Sequence, residues 1–285
     1  MIEYLINFFE LFSHEPDLSD FVWENYERVL RQQAIMFTIF FAVIGTLFGS
    51  FINVVITRLP KKGAFFSNSR SVCPSCGNTI KWYDLFPIVS YIYLLGKCRD
   101  CKARISPRYP FVEAMGAFLA FAAIWRFGFS YLTISVYAVT MILLAISIID
   151  FNTSEIPDSL WIAITPFAIA SIWLLPDVTW LSHLIGIFTV ALPMFLLSLL
   201  ISGAFGGGDI KLMAVCGLFL GWQLTLVAFF IALLLAGGYA IYLMLSGRRK
   251  RGEHMVFGPA LCVGITLSLY FGRQILDYYL GYFHI

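Results

Sequence analysis

Two aspartates stand out in this sequence because each lies beside a long apolar run. Asp150 opens "DFNTSEIPD" at the end of one run, and Asp209 follows three glycines in "SGAFGGGDIKLM". An acid at the edge of an apolar segment is costly, which favours a functional role. Two carboxylates that meet share one proton, so one can serve as general base on water and the other as general acid. The residue types predict aspartic hydrolase chemistry, although their spacing alone does not bring the two acids together.

The glycines before Asp209 have two possible roles. Gly206, Gly207 and Gly208 lack Cβ atoms, so they can adopt positive φ and let a substrate backbone lie close to the carboxylate. They can equally form a turn in which Asp209 caps the next helix. The sequence leaves both interpretations open.

A second group of reactive residues lies in "CPSCGNTIKWYDLFPIVSYIYLLGKCRDC". Cys73, Cys76, Cys98 and Cys101 form two CxxC pairs, a spacing typical of a four-thiolate zinc site. Such a site would be structural, because the protein fills all four positions. Disulfides or free thiols are the alternatives. The stretch between the pairs is too short and too interrupted by Pro87 to cross a membrane, so we expect it to pack on the zinc unit or lie on the membrane surface.

The elements that position these residues are predicted by composition. Of the 285 residues, 60% are hydrophobic and 13% are charged. Together with a mean hydropathy of +0.83, this composition indicates a polytopic membrane protein. We predict an all-α fold of about eight transmembrane helices, with a small cytoplasmic zinc-ribbon-like domain between the first and second. The apolar runs lie at 35–56, 110–128, 131–149, 158–175, 181–201, 210–221, 223–246 and 256–276.

The distribution of basic residues predicts the orientation. Most of the 19 lysines and arginines fall in the cysteine loop, in "GRRKR" and at Lys211, which eight spans would place on one side, the cytoplasm. Both aspartates then lie at cytoplasmic ends of spans. From the acidic start of the chain we expect no cleaved leader. This segment fits an amphipathic extension on the membrane surface, and a packed or frayed extension is the alternative. The expected divisions are 1–34 for the extension, 35–56 for the first helix, 57–109 for the zinc domain and 110–285 for the remaining membrane domain.

With these motifs in place, the chain resembles the type IV prepilin peptidases, which are aspartic membrane peptidases of pilus and type II secretion systems. The resemblance rests on "GSFINVVITRLP", the cysteine loop, "IDFNTSEIPD", "GGGDIKLM" and "VFGPALCVG". It implies that Asp150 and Asp209 form a catalytic pair in the bacterial inner membrane. It also implies cleavage of the basic leader of prepilins or pseudopilins at the cytoplasmic face.

The long family form with a cysteine loop implies a second activity, N-methylation of the new N-terminus with S-adenosylmethionine. The family's cysteines fall on the four cysteines named above, and Gly96 matches a glycine linked to methylation. Asp84, Asp100 and Glu113 are candidates to contact the basic leader, although Glu113 could equally serve as helix-start structure. No nucleic-acid partner is expected.

Two other functions remain possible at this point. One is a membrane methyltransferase without peptidase activity. The other is a transporter that uses the carboxylates, although transport sites lie near the bilayer midplane and both acids here are expected at span ends.

Overall fold

The computed structural model describes residues 16–60, 70–201, 203–246 and 256–282, with the side chains of residues 16–34 and of Thr38 excepted. The predicted amphipathic extension, residues 1–34, lies outside the residues and side chains that the structure describes. The helices are α1 Pro16–Arg58, α2 Val89–Tyr93, α3 Arg108–Phe127, α4 Tyr131–Thr153, α5 Asp158–Leu174, α6 Trp180–Thr189, α7 Ala191–Leu200, α8 Gly207–Leu220, α9 Trp222–Leu245 and α10 Gly258–Tyr282.

The all-α prediction is confirmed for the described part of the chain, where extended structure is limited to two isolated β-bridges. In the same ranges, six segments are long and apolar enough to cross a membrane: the part of α1 from Ile35, α3, α4, α6 with α7, α9 and α10. The fourth and sixth predicted spans correspond to shorter helices, α5 with 17 residues and α8 with 14. Each predicted apolar run is therefore helical. That α5 and α8 also cross the membrane stays a prediction.

The ends of the helices follow local chemistry. Ser130 accepts a hydrogen bond from the Thr133 N–H and so caps the start of α4. Gly128 and Gly221 each follow a helix, with φ of +64° and +77°. Residues other than glycine rarely adopt such a backbone. These glycines let the chain turn sharply between neighbouring antiparallel helices.

Glycines set the approach of α1 to α3. A Cβ atom built on Gly45 would lie 2.6 Å from the Gly116 carbonyl oxygen, and one on Gly49 would lie 2.7 Å from the Glu113 Cα. The two backbones therefore touch where side chains would keep them apart, as in other membrane helix pairs with small residues at their interface. This contact holds the helix before the cysteine loop against the helix after it.

A second glycine contact joins α6 to α8. Gly186 and Gly217 face each other so closely that a Cβ on either would overlap the other's carbonyl group. Beside them the fully buried His183 ring nitrogen Nδ1 lies 2.7 Å from the Leu218 carbonyl oxygen. The contact fixes α8, the helix that begins with the glycine-aspartate motif.

Ion pairs distinguish the two ends of the bundle. Lys211 Nζ lies 2.8 Å from Asp158 Oδ1, which joins the starts of α5 and α8 at one end. Arg273 Nη1 lies 3.0 Å from Asp177 Oδ2, which joins the later part of α10 to the segment before α6 at the other end. The helices α5 and α8 therefore start at the same end of the bundle.

We expect Gly116→Ala to destabilise the protein, because the new Cβ would meet the Gly45 backbone and push α1 away from α3. Overpacking of this kind costs about 1–3 kcal/mol. The matched control is Gly237→Ala in α9, where a Cβ meets nothing within 4 Å. The control should gain up to about 1 kcal/mol from helix propensity. Thermal unfolding in detergent compares the two variants, and equal stability would contradict the close contact.

Candidate active site and metal centre

Asp150 lies in the last turn of α4, where that helix ends in a left-handed residue. Ser154 has φ of 55°, and its N–H donates to the Asp150 carbonyl oxygen at 2.7 Å. The Asp150 side chain is buried, with 6% of the residue exposed, and its carboxylate lies against Gly258 at the start of α10. The end of α4 thus presents a carboxylate to the beginning of α10.

Asp209 lies in the first turn of α8 and is also buried, at 9% exposed. Its carboxylate lies beside Gly206, the N-cap residue of α8, where a Cβ would be 3.2 Å from Asp209 Oδ2. The carboxylate also interacts electrostatically with that of Asp150. The structure therefore places the two predicted acids within electrostatic range of each other, although they come from helices far apart in the sequence.

The structure corrects the expected role of the three glycines. Gly206 has φ of −69°, and Gly207 and Gly208 lie within α8, so the expectation of positive φ is wrong. Close packing is the requirement at Gly208, where a Cβ would lie 2.8 Å from the Cβ of Ile156. Gly207 has open space where its side chain would be. The motif allows the loop after α4 to pack on the start of α8 and leaves one open position beside the acids.

Gly258 is the site residue that the sequence analysis missed. A Cβ on Gly258 would overlap the carboxylate of Asp150, so only glycine allows α10 to start there. The preceding Phe257 packs on Phe205, with ring centroids 5.5 Å apart, which joins the start of α10 to the loop before Asp209. A glycine followed by proline at the start of an apolar run was the available sequence signal, and it marks a helix start without naming its partner.

Two buried thiols lie in the helices that carry or adjoin the acids. Cys216 in α8 and Cys262 in α10 are 1% and 3% exposed. Cys262 lies within electrostatic range of both aspartates. The bundle core therefore lies directly beside the two acids.

The two CxxC pairs form two loops of the same geometry. The Cys73 carbonyl accepts from the Gly77 N–H at 2.9 Å, and the Cys98 carbonyl accepts from the Lys102 N–H at 3.1 Å. Gly77 and Lys102 occupy equivalent positions with φ of +74° and +59°. Each turn presents its two thiols to one side, as a thiolate metal site requires.

The four thiols meet in one cluster. The Sγ atoms of Cys73, Cys76, Cys98 and Cys101 all lie within 4.8 Å of one another, and none forms a disulfide. The Sγ atoms of Cys73 and Cys101 are 3.8 Å apart. A tetrahedron with Zn–S bonds of about 2.3 Å has an edge of the same length. The cluster can therefore hold a metal ion in the geometry predicted from the sequence.

Electrostatics in the cluster favour a cation. The backbone N–H groups of Cys76 and Ser75 lower the pKa of the Cys73 thiol to about 6, so this residue is a thiolate at neutral pH. At Cys76 a hydrogen bond from Asn78 lowers the pKa, but burial and the thiols of Cys73 and Cys101 outweigh it and raise the pKa to about 11. Adjacent thiolates repel one another, and a divalent cation removes that penalty.

Two of the predicted leader-binding acids have partners within the cysteine loop. Asp84 forms a two-pronged pair with Arg99, at 2.5 and 2.8 Å, and Arg99 lowers the pKa of the Asp84 carboxyl below its ordinary value. Asp100 accepts from the Asn78 amide at 3.0 Å, which joins the two cysteine turns. These contacts tie the segment between the cysteine pairs to both turns.

The third such acid, Glu113 in the second turn of α3, is 8% exposed and accepts from the Ile88 N–H at 2.8 Å. Ile88 has φ of +60°, a conformation that a β-branched residue rarely adopts. Gly96 also has positive φ, and a Cβ there would lie 3.0 Å from the Tyr91 hydroxyl oxygen. Glu113 and Gly96 both shape the segment between the cysteine pairs.

Two family models match the chain. Residues 43–127, which include the cysteine cluster, match the model described as "Bacterial Peptidase A24 N-terminal domain". Residues 137–241, which include both aspartates, match the model described as "Type IV leader peptidase family". No solved structure matches the chain significantly.

Similar curated proteins are named prepilin leader peptidase/N-methyltransferase. One from Bacillus subtilis (strain 168) is 32% identical over 238 residues, which cover 84% of this chain and 96% of the relative. One from Stutzerimonas stutzeri and one from Pseudomonas aeruginosa are each 30% identical over 282 residues, which cover 89% of this chain and 97% of the relative.

We expect Asp84→Asn to loosen the segment between the cysteine pairs, because the neutral amide loses the charge-assisted pair with Arg99. Hydrogen–deuterium exchange of the backbone over residues 82–95 should become faster at neutral pH. Asp177→Asn removes an exposed pair at the other end of the bundle and serves as the matched control. Unchanged exchange over residues 82–95 in Asp84→Asn would show that the pair does not hold this segment.

Proposed function

Because this chain belongs to the type IV leader peptidase family, we propose that Asp150 and Asp209 are the two carboxylates with which it cleaves the leader peptide of prepilins. Prepilin cleavage and N-methylation are the activities of this family member. The observation that carries the assignment is that two buried carboxylates at adjoining helix ends lie within electrostatic range of each other. A pair of this kind holds one shared proton and can therefore supply both an acid and a base.

The hydrolysis follows from that shared proton. The ionised carboxylate removes a proton from a water molecule as its oxygen attacks the scissile carbonyl carbon, while the protonated carboxyl donates to the carbonyl oxygen. The resulting tetrahedral intermediate collapses when the amide nitrogen takes a proton from the pair, the C–N bond breaks, and a hydroxyl group of the intermediate returns a proton to the pair. The products are a leader with a free carboxyl group and a protein with a free amine. One water is consumed, and the pair returns to its starting protonation.

The position of the acids fits a substrate that is itself a membrane helix. A prepilin keeps its basic leader in the cytoplasm and its apolar stem in the bilayer, so its scissile bond lies near the cytoplasmic surface. We place the end of the bundle that holds Asp150 and Asp209 on that side of the inner membrane, because the basic loops flank it. The open position beside Gly207 is where a substrate backbone would approach Asp209 most closely. The same reasoning extends the substrates to pseudopilins.

N-methylation takes place on the amine that cleavage releases, and S-adenosylmethionine is the methyl donor we propose. This donor supplies an electrophilic methyl group when bound. Gly96 supports this reaction through the cysteine module, since its positive φ and its contact with Tyr91 set the path of the chain into the second cysteine turn.

Zinc is the metal we propose for the cysteine cluster. Four thiolates with tetrahedral spacing fit this ion, and a site filled by four protein ligands stabilises structure and leaves no position for substrate. Among the acids considered for the basic leader, the carboxylates of Asp84 and Glu113 are buried, whereas Asp100 is exposed and remains accessible beside its hydrogen bond to Asn78.

The two alternative functions lack support. A methyltransferase without peptidase activity gives no role to a buried pair of acids at the helix ends. A carboxylate-dependent transporter is disfavoured because transport sites lie near the midplane. Asp150 instead lies in the last turn of one helix and Asp209 in the first turn of another.

We expect Asp150→Asn and Asp209→Asn each to abolish leader release while the protein stays folded. Each amide removes one proton-transfer group, which is worth about 10²–10⁴-fold in rate. Mass spectrometry of a prepilin after incubation reads both leader loss and a methyl group on the new N-terminus. Asp177→Asn is the control and should cleave at the wild-type rate. Full cleavage by Asp150→Asn or by Asp209→Asn would contradict the assignment.

We expect Gly258→Ala to reduce cleavage, because the added Cβ displaces the Asp150 carboxylate. Small misplacements of catalytic groups cost about 10²-fold in rate. The control is Gly281→Ala, in the same helix, where a Cβ meets nothing within 4 Å. Thermal stability checks that both variants fold. A fully active Gly258→Ala enzyme would mean that this glycine does not position Asp150.

Elemental analysis of the purified protein should find about one zinc per chain, and Cys98→Ser should lose it because three thiolates hold the ion more weakly. Cys216→Ser, at a buried thiol outside the cluster, should keep full zinc content. Wild-type protein without metal, or Cys98→Ser with its full content, would contradict the zinc assignment.

A further inference from the structure

The segment between the two cysteine pairs exposes an unusual amount of apolar surface. Trp82 is 76% exposed and Leu95 is 82% exposed. We define the interfacial patch as the exposed apolar residues Trp82, Leu85, Phe86, Val89, Ile92, Tyr93 and Leu95. A soluble surface rarely concentrates so many large apolar side chains, and such patches usually contact a partner or a membrane.

The patch is presented on one side of an ordered element. Ser90 is buried, and its hydroxyl donates to the Tyr83 carbonyl oxygen at 3.0 Å, which joins α2 to the 3₁₀ turn Trp82–Leu85. Val89, Ile92 and Tyr93 stand three and four residues apart in α2, so they share a face. With Ser90 directed inward, that face is directed away from the rest of the module.

The depth of the segment is fixed by Glu113. This residue lies five positions after Arg108, the first residue of α3. Five residues of α-helix rise about 7.5 Å. The Glu113 carboxylate accepts from the Ile88 N–H. The backbone beside the patch therefore lies level with the second turn of α3, a helix long and apolar enough to cross a membrane.

The charge around the patch is complementary to an anionic lipid surface. The segment from residue 70 to residue 108 contains seven basic residues and two acidic ones. One of the acids, Asp84, is paired with Arg99. A zinc tetrathiolate adds a charge of about −2, which leaves the module cationic. The basic residues are Arg70, Lys81, Lys97, Arg99, Lys102, Arg104 and Arg108. Basic side chains next to an exposed apolar face are typical of segments that lie in the interface of anionic bilayers.

We propose that the interfacial patch inserts into the headgroup region of anionic phospholipids and holds the cysteine module on the membrane beside the helix ends. The module is joined to α1 and α3 at its two ends, and the patch provides a third attachment through lipid. This inference is independent of the peptidase assignment, because it rests on the exposed residues, the Glu113 contact and the local charge.

The test uses Trp82 as the reporter in the full-length protein. Wild-type and Trp82→Phe proteins are placed in vesicles of phosphatidylglycerol with phosphatidylcholine whose acyl chains are brominated near the headgroup. The difference in fluorescence between the two proteins isolates Trp82 from the other six tryptophans. Bromine should quench about half or more of the Trp82 signal, since an interfacial face lies about 5–10 Å into the headgroup boundary. An unquenched Trp82 would overturn the proposal.

Two further comparisons test the preference for anionic lipid and the role of the patch residues. Vesicles of phosphatidylcholine alone should quench Trp82 several-fold less, and equal quenching would overturn the anionic preference. Ile92→Asp should also reduce quenching, whereas Thr79→Asp, an exposed position outside the patch, should not. Thermal unfolding checks that both variants fold. Shielding of Trp82 that occurs only after a prepilin is added would mean that the patch binds substrate, which would overturn lipid docking.

Discussion

The structure depends on two buried carboxylates that lie within electrostatic range of each other at adjoining helix ends. Asp150 and Asp209 come from opposite ends of their helices, so α4 must end where α8 begins. At two positions this arrangement leaves no room for a side chain. Gly208 packs on Ile156, and Gly258 packs on Asp150. Glycine at these positions is therefore a steric requirement of the site.

The same use of glycine extends through the bundle. The contact of Gly186 with Gly217 fixes the helix that carries Asp209, and the contact of Gly45 with Gly116 fixes the pair of helices from which the cysteine module emerges. Close backbone contact lets van der Waals packing hold helices together in a solvent that provides no hydrophobic driving force. One packing principle thus positions both the acids and the module.

Much of this could be predicted from the sequence, for physical reasons. Apolar runs located a helix at every predicted span, and the CxxC spacing located a cluster whose thiols meet. The glycine motif was recognised, but of its two possible roles the one with positive φ is wrong, and pattern alone does not reveal that Ile156 lies against Gly208. Gly258 was missed because its partner is 108 positions earlier in the chain. Contacts between distant segments are determined by packing, which local pattern does not encode.

The most direct test of the central claim is a double-mutant cycle on the acids. Residues that work as one unit lose activity together, so the double variant should be no slower than either single variant. The values of kcat/KM for prepilin cleavage are compared among wild type, Asp150→Asn, Asp209→Asn and the double variant. A shared loss of about 10²–10⁴-fold in all three variants is the predicted result. Independent losses that multiply in the double variant would contradict a catalytic pair.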